Sequence, residues 1–484
     1  MKKHEIIEVY IERINYPDTG FGKYEDKKVK IKHVIPGQTV RARVKRSTKN
    51  AEAVLVEIAK RAENEIEPVC ASFSSCGGCA FQSLRYCDEL ALKDTMLRRE
   101  LREAGFENAA FDGLVPAPCD FEYRNKMEFT FGDITKGGGL SLGMRRRNSY
   151  YEVSDASCCN LVNADFRLIV SETVRFFQKA GEAFYHRGRN EGSLRNLIVR
   201  GSTFANELMV NIVTTPGIKT DMRQYAGMLA SLPFLGKLVS VLHTENLSCA
   251  DSVKPDKTTV LFGSDFFSET LLGLSFKISP FSFFQTNSRG AEQLYSTVRE
   301  FLGDSHDKTI FDLYCGTGTI AQIAAQSAKK VIGIEIVGES VSVARENALR
   351  NGLSNCEFIA GDVLRELNLV NDKPDIIILD PPREGIHPGA LPKLLAYEPD
   401  TIVYISCKLS SLGKDISFFA QNGYAVERIR AHDMFPKTPH VETVVLLSKL
   451  KSTNSIEVKI NLDEMDLTKS ESKATYDEIK AICT

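Results

Sequence analysis

No apolar run in this 484-residue chain approaches the roughly 20 residues that a helix needs to cross a bilayer. The first residues, Met1-Lys2-Lys3-His4-Glu5-Ile6-Ile7-Glu8, are too polar for a secretory leader. Neither a membrane span nor an export signal is read from the sequence, so a cytoplasmic location with no membrane partner is expected. Net charge is also small. Lys and Arg number 61 against 63 Asp and Glu, leaving −2. That argues against a wholly basic nucleic-acid binder and leaves room for a local basic module. With 43% hydrophobic and 26% charged residues the composition is that of an ordinary globular protein. The length allows about three domains.

Cysteine is plentiful. There are 12, and Cys70, Cys76 and Cys79 crowd together. Disulfides rarely persist in a reducing compartment, so clustered thiols there point to metal or cluster ligands. Residues 1–61 carry 15 Lys/Arg against 8 Asp/Glu, a basic N-terminal module that would attract phosphates. The same segment alternates as strands at Ile6–Ile14, Val29–Val34, Thr39–Val44 and Ala51–Ile58. Pro17, Gly20 and Gly22 read as turn signals, as does Pro36-Gly37. The expectation is a small OB-like barrel over residues 1–62.

Residues 63–290 hold the cysteine cluster, a helix over Asp88–Ala104, and a mixed α+β stretch. Its strands are expected at Lys126–Phe131, Leu140–Arg147, Leu197–Gly201 and Leu208–Val213, with a helix from Asn163 to Ala183. Lys136-Gly137-Gly138-Gly139 reads as a hairpin tip. Arg145-Arg146-Arg147 beside Tyr150-Tyr151 mixes guanidinium groups with aromatics, as an RNA-binding surface does; an exposed hairpin with solvated charge would look the same.

From residue 291 to 450 strands alternate with helices, which implies an α/β, Rossmann-like doubly wound sheet with ligands at the strands' carboxyl ends. The first strand runs into Asp312-Leu313-Tyr314-Cys315-Gly316-Thr317-Gly318. Glycines there let the backbone approach a ligand closely. Glu335 ends the next strand, 19 residues after Gly316, where a carboxylate can accept both ribose hydroxyls. Asp362 follows the third strand, within reach of an adenine amino group. The third glycine of the dinucleotide fingerprint is missing, and Asp380-Pro381-Pro382 ends the fourth strand. These features favour S-adenosylmethionine over a dinucleotide.

Most buried cysteines are inert small hydrophobes, the reading given to Cys87, Cys119, Cys249, Cys315, Cys356 and Cys483. Cys407 differs, because it ends the strand Thr401–Ile405 on the same sheet edge as the glycine turn. An amine accepts a sulfonium methyl unaided, whereas an unreactive carbon such as C5 of a pyrimidine needs a protein nucleophile. Glu442, in His440-Val441-Glu442, supplies a carboxylate after the next helix.

At this point the chain resembles the RNA uracil-C5 methyltransferases, in particular the 23S ribosomal-RNA branch with a TRAM domain and an iron–sulfur cluster. The motifs that carry the resemblance occur in order: Phe283-Phe284-Gln285-Thr286-Asn287, Asp312-Leu313-Tyr314-Cys315-Gly316, Asp380-Pro381-Pro382-Arg383-x-Gly385, Tyr404-Ile405-Ser406-Cys407, and Asp433-x-Phe435-Pro436-x-Thr438-x-His440-Val441-Glu442. The resemblance spans residues 1–450. It implies that Cys407 is the nucleophile and Glu442 the base, and that Gln285, Tyr314, Glu335 and Asp380 contact S-adenosylmethionine. It implies 23S rRNA as partner, free of assembled ribosomes, and a monomeric enzyme. Two positions depart from the family: Lys408-Leu409 replaces Asn-Pro after the nucleophile, and Lys437 replaces Gln, His or Tyr.

The cluster Cys70-x5-Cys76-Gly-Gly-Cys79 supplies three thiolates, and a fourth must come from Cys158-Cys159. Spacing alone leaves zinc and a [4Fe–4S] cluster open. The resemblance implies [4Fe–4S] on Cys70, Cys76, Cys79 and Cys159, with Cys158 the alternative. The spacing typical of radical S-adenosylmethionine enzymes is absent, so a stapling role is expected. Rival readings are a tRNA uridine C5 methyltransferase, an RNA amino-methyltransferase, and a non-catalytic RNA-binding or ribosome-assembly protein. Residues 451–484 look appended, with a strand expected at Ser455–Leu462 and a helix at Glu471–Ile482.

Overall fold

Alternating apolar residues fold the N-terminal segment back on itself. The computed structural model describes residues 1–47, 50–106, 109–147, 149, 151–248, 253, 255–367 and 370–450. The strand and helix expected in the tail, together with Tyr150, Cys249 and Cys483, lie outside the described residues. Strands β1 (Ile6–Asn15), β2 (Thr19–Tyr24), β3 (Lys27–Lys32), β4 (Thr39–Arg46) and β5 (Asn50–Lys60) close a barrel in the order β1-β2-β3-β5-β4. Ile7, Val9 and Ile11 point inward with Val29, Ile31, Val40 and Val44, and closure leaves no edge open.

Gly20 and Gly22 are not turn residues; they lie within β2. A Cβ at Gly20 would stand 2.2 Å from Val34 Cγ2, and one at Gly22 2.2 Å from the Tyr10 carbonyl oxygen. These glycines serve the close approach of neighbouring strands.

After the barrel come α1 (Tyr86–Glu103) and β6 (Ala110–Val115). A central sheet follows, built from β7 (Lys126–Asp133), β8 (Leu140–Arg145), β9 (Val153–Asp155), β10 (Leu194–Gly201), β11 (Glu207–Thr214), β12 (Lys237–Glu245) and β13 (Lys257–Gly263). Its order is β13-β12-β11-β10-β7-β8-β9. Helices α2 (Ala164–Ala180) and α3 (Met222–Ala230) bury Phe166, Ile169, Phe177, Tyr225 and Leu229 against it. Asn163 caps α2 by accepting the Phe166 amide. The hairpin β14 (Phe267–Leu271) and β15 (Leu274–Ile278) then leads into the last layer.

That layer contains α4 (Ser288–Leu302), β16 (Thr309–Leu313), α5 (Thr319–Ala325), β17 (Lys330–Glu335), α6 (Gly338–Arg350), β18 (Cys356–Ala360), α7 (Val363–Glu366), β19 (Ile376–Leu379), α8 (Leu391–Ala396), β20 (Thr401–Ser406), α9 (Leu409–Gln421), β21 (Tyr424–His432) and β22 (Glu442–Lys449). The sheet order is β18-β17-β16-β19-β20-β22-β21-β6. Strands β16 to β20 are mutually parallel, as the alternation predicts. The far side is not: β22 inserts antiparallel between β20 and β21, and β6 joins in parallel at the edge. The sequence reading had neither β21 and β22 nor the recruitment of β6. Residues Met1–Lys449 form one compact unit. Among the described residues no helix is long and apolar enough to cross a membrane.

Candidate active site

The insertion of β22 beside β20 sets the candidate reacting pair. Ser406 pairs with Thr443 across the two strands. The next residue on each chain is Cys407 and Glu442, so thiol and carboxylate stand together at the carboxyl end of β20. Burial raises the Cys407 thiol, the charge of Glu442 raises it further, and Arg383 opposes both by its charge and by a hydrogen bond to the sulfur. Burial, reinforced by Asp380, pushes the Glu442 carboxyl up to about 8. Burial pushes Asp380 up to about 7. Two carboxyls that titrate near neutrality are suited to moving a proton.

The loop bearing Arg383 is pinned from behind. Asp415 Oδ2 accepts the Ile386 amide at 2.9 Å and the Tyr404 hydroxyl at 2.6 Å. On the other side of Cys407, the Lys408 amide donates to Ser406 Oγ at 3.1 Å, and Ser411 Oγ donates to the Lys408 carbonyl at 2.9 Å. These hydroxyls close the turn where the family has Asn-Pro, and α9 starts at Leu409.

The glycine turn follows β16. Tyr314 adopts a left-handed φ of 66°, and Gly316 and Gly318 have φ of 54° and 72°. A Cβ at Gly318 would lie 2.6 Å from the Phe358 ring. Glu335 braces the turn, accepting the Gly316 amide at 3.1 Å and the Val337 amide at 2.9 Å. Gln285 is buried, with its side chain hydrogen-bonded to Tyr295. Thr317 Oγ1 donates to the Phe283 carbonyl at 3.3 Å, joining this segment to the turn. Asp362 caps α7 by accepting the Leu364 amide at 2.7 Å, so one oxygen of the expected adenine contact is engaged. Asp312 is fully buried, and among the described residues its carboxylate oxygens meet no donor at full hydrogen-bond geometry, the Ala321 amide giving only a weak opposing contact; burial and the charge of Asp380 raise its pKa. Carboxylates at the strand ends beside a glycine turn fit a cationic nucleoside such as S-adenosylmethionine.

Five thiols converge on a second site. Burial raises Cys70, Cys76, Cys79 and Cys159, and neighbouring thiols, Cys158 among them, add to the effect. The Gly78 amide donates to Cys76 Sγ at 3.4 Å and Gln82 Nε2 to Cys79 Sγ at 3.6 Å, while Ser72 Oγ lies 3.5 Å from Cys158 Sγ. Among the described residues, no three His, Cys, Asp or Glu side chains are placed to hold a metal ion as they stand. Arg147, in the segment expected to form an RNA surface, donates to the carbonyls of Cys76 (2.8 Å) and Cys79 (2.6 Å). Tyr151 stacks on His186 with centroids 5.1 Å apart and stays half exposed. Cys87 and Cys119 are exposed, not buried as expected, because Cys87 lies on the solvent side of α1 and Cys119 in a loop. Cys315 is buried and Cys356 half-buried, as expected.

Residues 202–450 match the family model described as tRNA (Uracil-5-)-methyltransferase. An RNA methyltransferase of Clostridium tetani, itself uncharacterized, is 46% identical over 93% of this chain and 99% of its own length. The chain belongs to the RNA uracil-5 methyltransferase family. Another uncharacterized RNA methyltransferase, from Caldanaerobacter subterraneus, is 46% identical over 93% of this chain and all of its own. Among solved structures, Pyrococcus abyssi tRNA (uracil-54, C5)-methyltransferase in complex with S-adenosyl-L-homocysteine has a TM-score of 0.72 at 27% identity, covering 91% of this chain and 100% of that one.

Within this uracil-5 methyltransferase, Lys437 is held inside the protein. It is buried, its Nζ lies 3.3 Å from Glu89 Oε2 and 3.1 Å from Asp120 Oδ2, and its amide donates to Glu89 Oε1 at 2.6 Å. Its departure from the family therefore belongs to an internal ion network. Sequence reasoning quoted Arg383 and His440 only as motif letters, and it missed Tyr16. Tyr16 comes from the barrel, 391 residues before Cys407, whose carbonyl it touches. No local pattern could have signalled that contact.

Proposed function

We propose that the protein methylates C5 of a uridine in large-subunit (23S) ribosomal RNA through a covalent adduct between Cys407 and C6 of the base. The register that sets Cys407 beside Glu442, with Arg383 on the sulfur, carries this reading. Arg383 favours the thiolate, which adds to C6 and moves electron density to C5. S-adenosylmethionine, held by Gln285, Tyr314, Glu335 and Asp380, supplies the electrophilic methyl group. Glu442 then takes the C5 proton, and β-elimination releases the Cys407 thiolate. The thiol must reach the face of the ring, so the target base leaves its stack. An amine acceptor would need no thiol, which separates this reading from an RNA amino-methyltransferase.

Cys70, Cys76, Cys79 and Cys159 would hold a [4Fe–4S] cluster, with Cys158 as the alternative fourth ligand and zinc as the alternative occupant. Convergence of the thiols and amide-to-sulfur hydrogen bonds support that assignment. The cluster would staple the cysteine loop to its surroundings.

A tRNA substrate is the second reading. The Pyrococcus neighbour acts on tRNA by its name, and its coverage leaves out little beyond the tail, so a barrel alone does not separate rRNA from tRNA. One experiment distinguishes them. Protein purified without oxygen is given labelled S-adenosylmethionine with unmodified 23S rRNA or tRNA, and product nucleosides are mapped by mass spectrometry. 5-Methyluridine at a defined rRNA position, lost in Cys407→Ala, is expected. Labelling of tRNA alone moves the substrate to tRNA, and a methylated purine removes the uridine reading.

A further inference from the structure

The barrel enters the active site through one side chain. Tyr16 follows the last residue of β1, and its hydroxyl donates to the Cys407 carbonyl oxygen at 3.1 Å. The Tyr16 hydroxyl oxygen also lies 3.1 Å from His440 Nδ1, with the two rings edge to face at 6.1 Å between centroids. A phenol has one proton to give. With that proton on the Cys407 carbonyl, the contact to His440 is a hydrogen bond only if Nδ1 carries the imidazole proton. Burial, with the positive charge of Arg383 next, pushes the His440 pKa down to about 4, so the ring is neutral near pH 7. Burial and the nearby Cys407 and Glu442 raise Tyr16, which keeps its proton.

One hydroxyl thus joins the residue that carries the nucleophile to a residue two positions before the base. The joint is braced from outside the site. Arg99 of α1 donates to the Ile14 carbonyl and to Asn15 Oδ1, both at 2.8 Å, which fixes the end of β1. Tyr16 packs against a cluster containing Ile14, Phe81 and Met96. Cys407 and Glu442 must address C6 and C5 of one ring, neighbouring atoms, so small relative shifts of their two backbones cost rate.

We propose that Tyr16 is a positioning residue for methyl transfer: its hydroxyl holds the Cys407 and His440–Glu442 backbones in register and fixes His440 as the Nδ1–H tautomer. The inference rests on the assignment of Cys407 and Glu442 as the reacting pair. Packing needs only the ring of Tyr16, whereas the tie needs the oxygen, so Tyr16→Phe separates the two. The barrel on this view takes part in aligning the chemistry, in addition to any contact it makes with RNA.

The test uses the full chain. Nitrogen-15 NMR of the wild-type protein reads the His440 tautomer directly, and steady-state kinetics compare Tyr16→Phe with Tyr10→Phe, an exposed tyrosine of β1. For Tyr16→Phe, kcat should fall about tenfold while KM for RNA stays within about twofold, and the Nδ1–H signal of His440 should be lost. Tyr10→Phe should change neither. A wild-type His440 protonated at Nε2 overturns the proposal whatever the variants do. So does a Tyr16→Phe enzyme with unchanged kcat, or one whose loss lies wholly in KM, which would make the barrel an RNA contact alone. If Cys407→Ala methylates normally, the reacting-pair assignment fails; the NMR result still reports on the Tyr16 tie by itself.

Discussion

The Ala80 amide donates to the Lys437 carbonyl at 2.8 Å, and the Phe81 amide joins it at 3.1 Å. The residues directly after Cys79 are therefore hydrogen-bonded to the loop that leads into Glu442. Anything that loosens the cysteine loop should reach the base. Cys79→Ser is expected to lower thermal stability and kcat together, with little change in KM for RNA. Melting curves and kinetics check this; a variant that melts early but turns over normally would show the two loops to be independent.

Lys93 lies at the centre of the buried ion network. Its Nζ is 2.8 Å from Glu89 Oε1 and 2.7 Å from Asp433 Oδ1, and all three residues are buried. Tyr86 also donates to Asp433, at 2.9 Å. Lys93→Met leaves buried Asp433 without its cation while Glu89 keeps Lys437, and should cost about 3–5 kcal/mol in denaturant unfolding. The double change Lys93→Met with Asp433→Asn should recover part of that loss, since the stranded charge is gone.

Removing the base without removing the nucleophile should stall the reaction after methyl transfer. Glu442→Gln is expected to accumulate a protein–RNA adduct that survives denaturing electrophoresis, and Cys407→Ala to form none. Adduct formation in Cys407→Ala would rule out the thiol as the attacking group.

Burial raises Asp380 to about 7, and burial with the charge of Asp380 raises Glu442 to about 8. The proposed base acts when deprotonated and the thiol as thiolate, so the single-turnover rate should rise with pH through about 8 and go on rising as the raised Cys407 thiol ionises. Stability should move the other way. Both folded-state pKa values are raised above the unfolded values of about 4, so the folded state holds more protons and loses stability as pH rises from about 4 to about 8. Rate profiles and melts over that window test both signs, and Glu442→Gln should flatten its part of each.

Gly318 combines a left-handed φ of 72° with a neighbour, Phe358, that a Cβ would strike at 2.6 Å. Gly318→Ala should destabilise the turn by about 1 kcal/mol or more. It should also weaken binding of S-adenosylhomocysteine in calorimetry, while leaving the affinity for RNA near that of the wild type.

The parallel strands and the glycine turn were legible because their signals are local. Hydrophobic runs of strand length recur between helices, and Gly316 and Gly318 must occupy a conformation that other residues resist. The barrel was legible in outline, but the glycines of β2 were misread as turns. Their reason is the nearness of Val34 and Tyr10 on other segments, which only closure creates. Lys437 was legible as a departure and not as a buried cation, because its partners Glu89 and Asp120 lie more than three hundred residues earlier.

The sequence by itself determined the candidate groups: a thiol at a strand end, a carboxylate after it, a glycine turn and a knot of cysteines. Each follows from the chemistry of a few adjacent residues. Tertiary structure alone decided how these groups meet. The antiparallel insertion of β22 puts Glu442 across from Cys407, β6 extends the same sheet from far upstream, and Tyr16 reaches from the barrel to the nucleophile's carbonyl. Pairing between strands distant in the chain depends on register and packing summed over the whole unit, and no short stretch of sequence contains that sum.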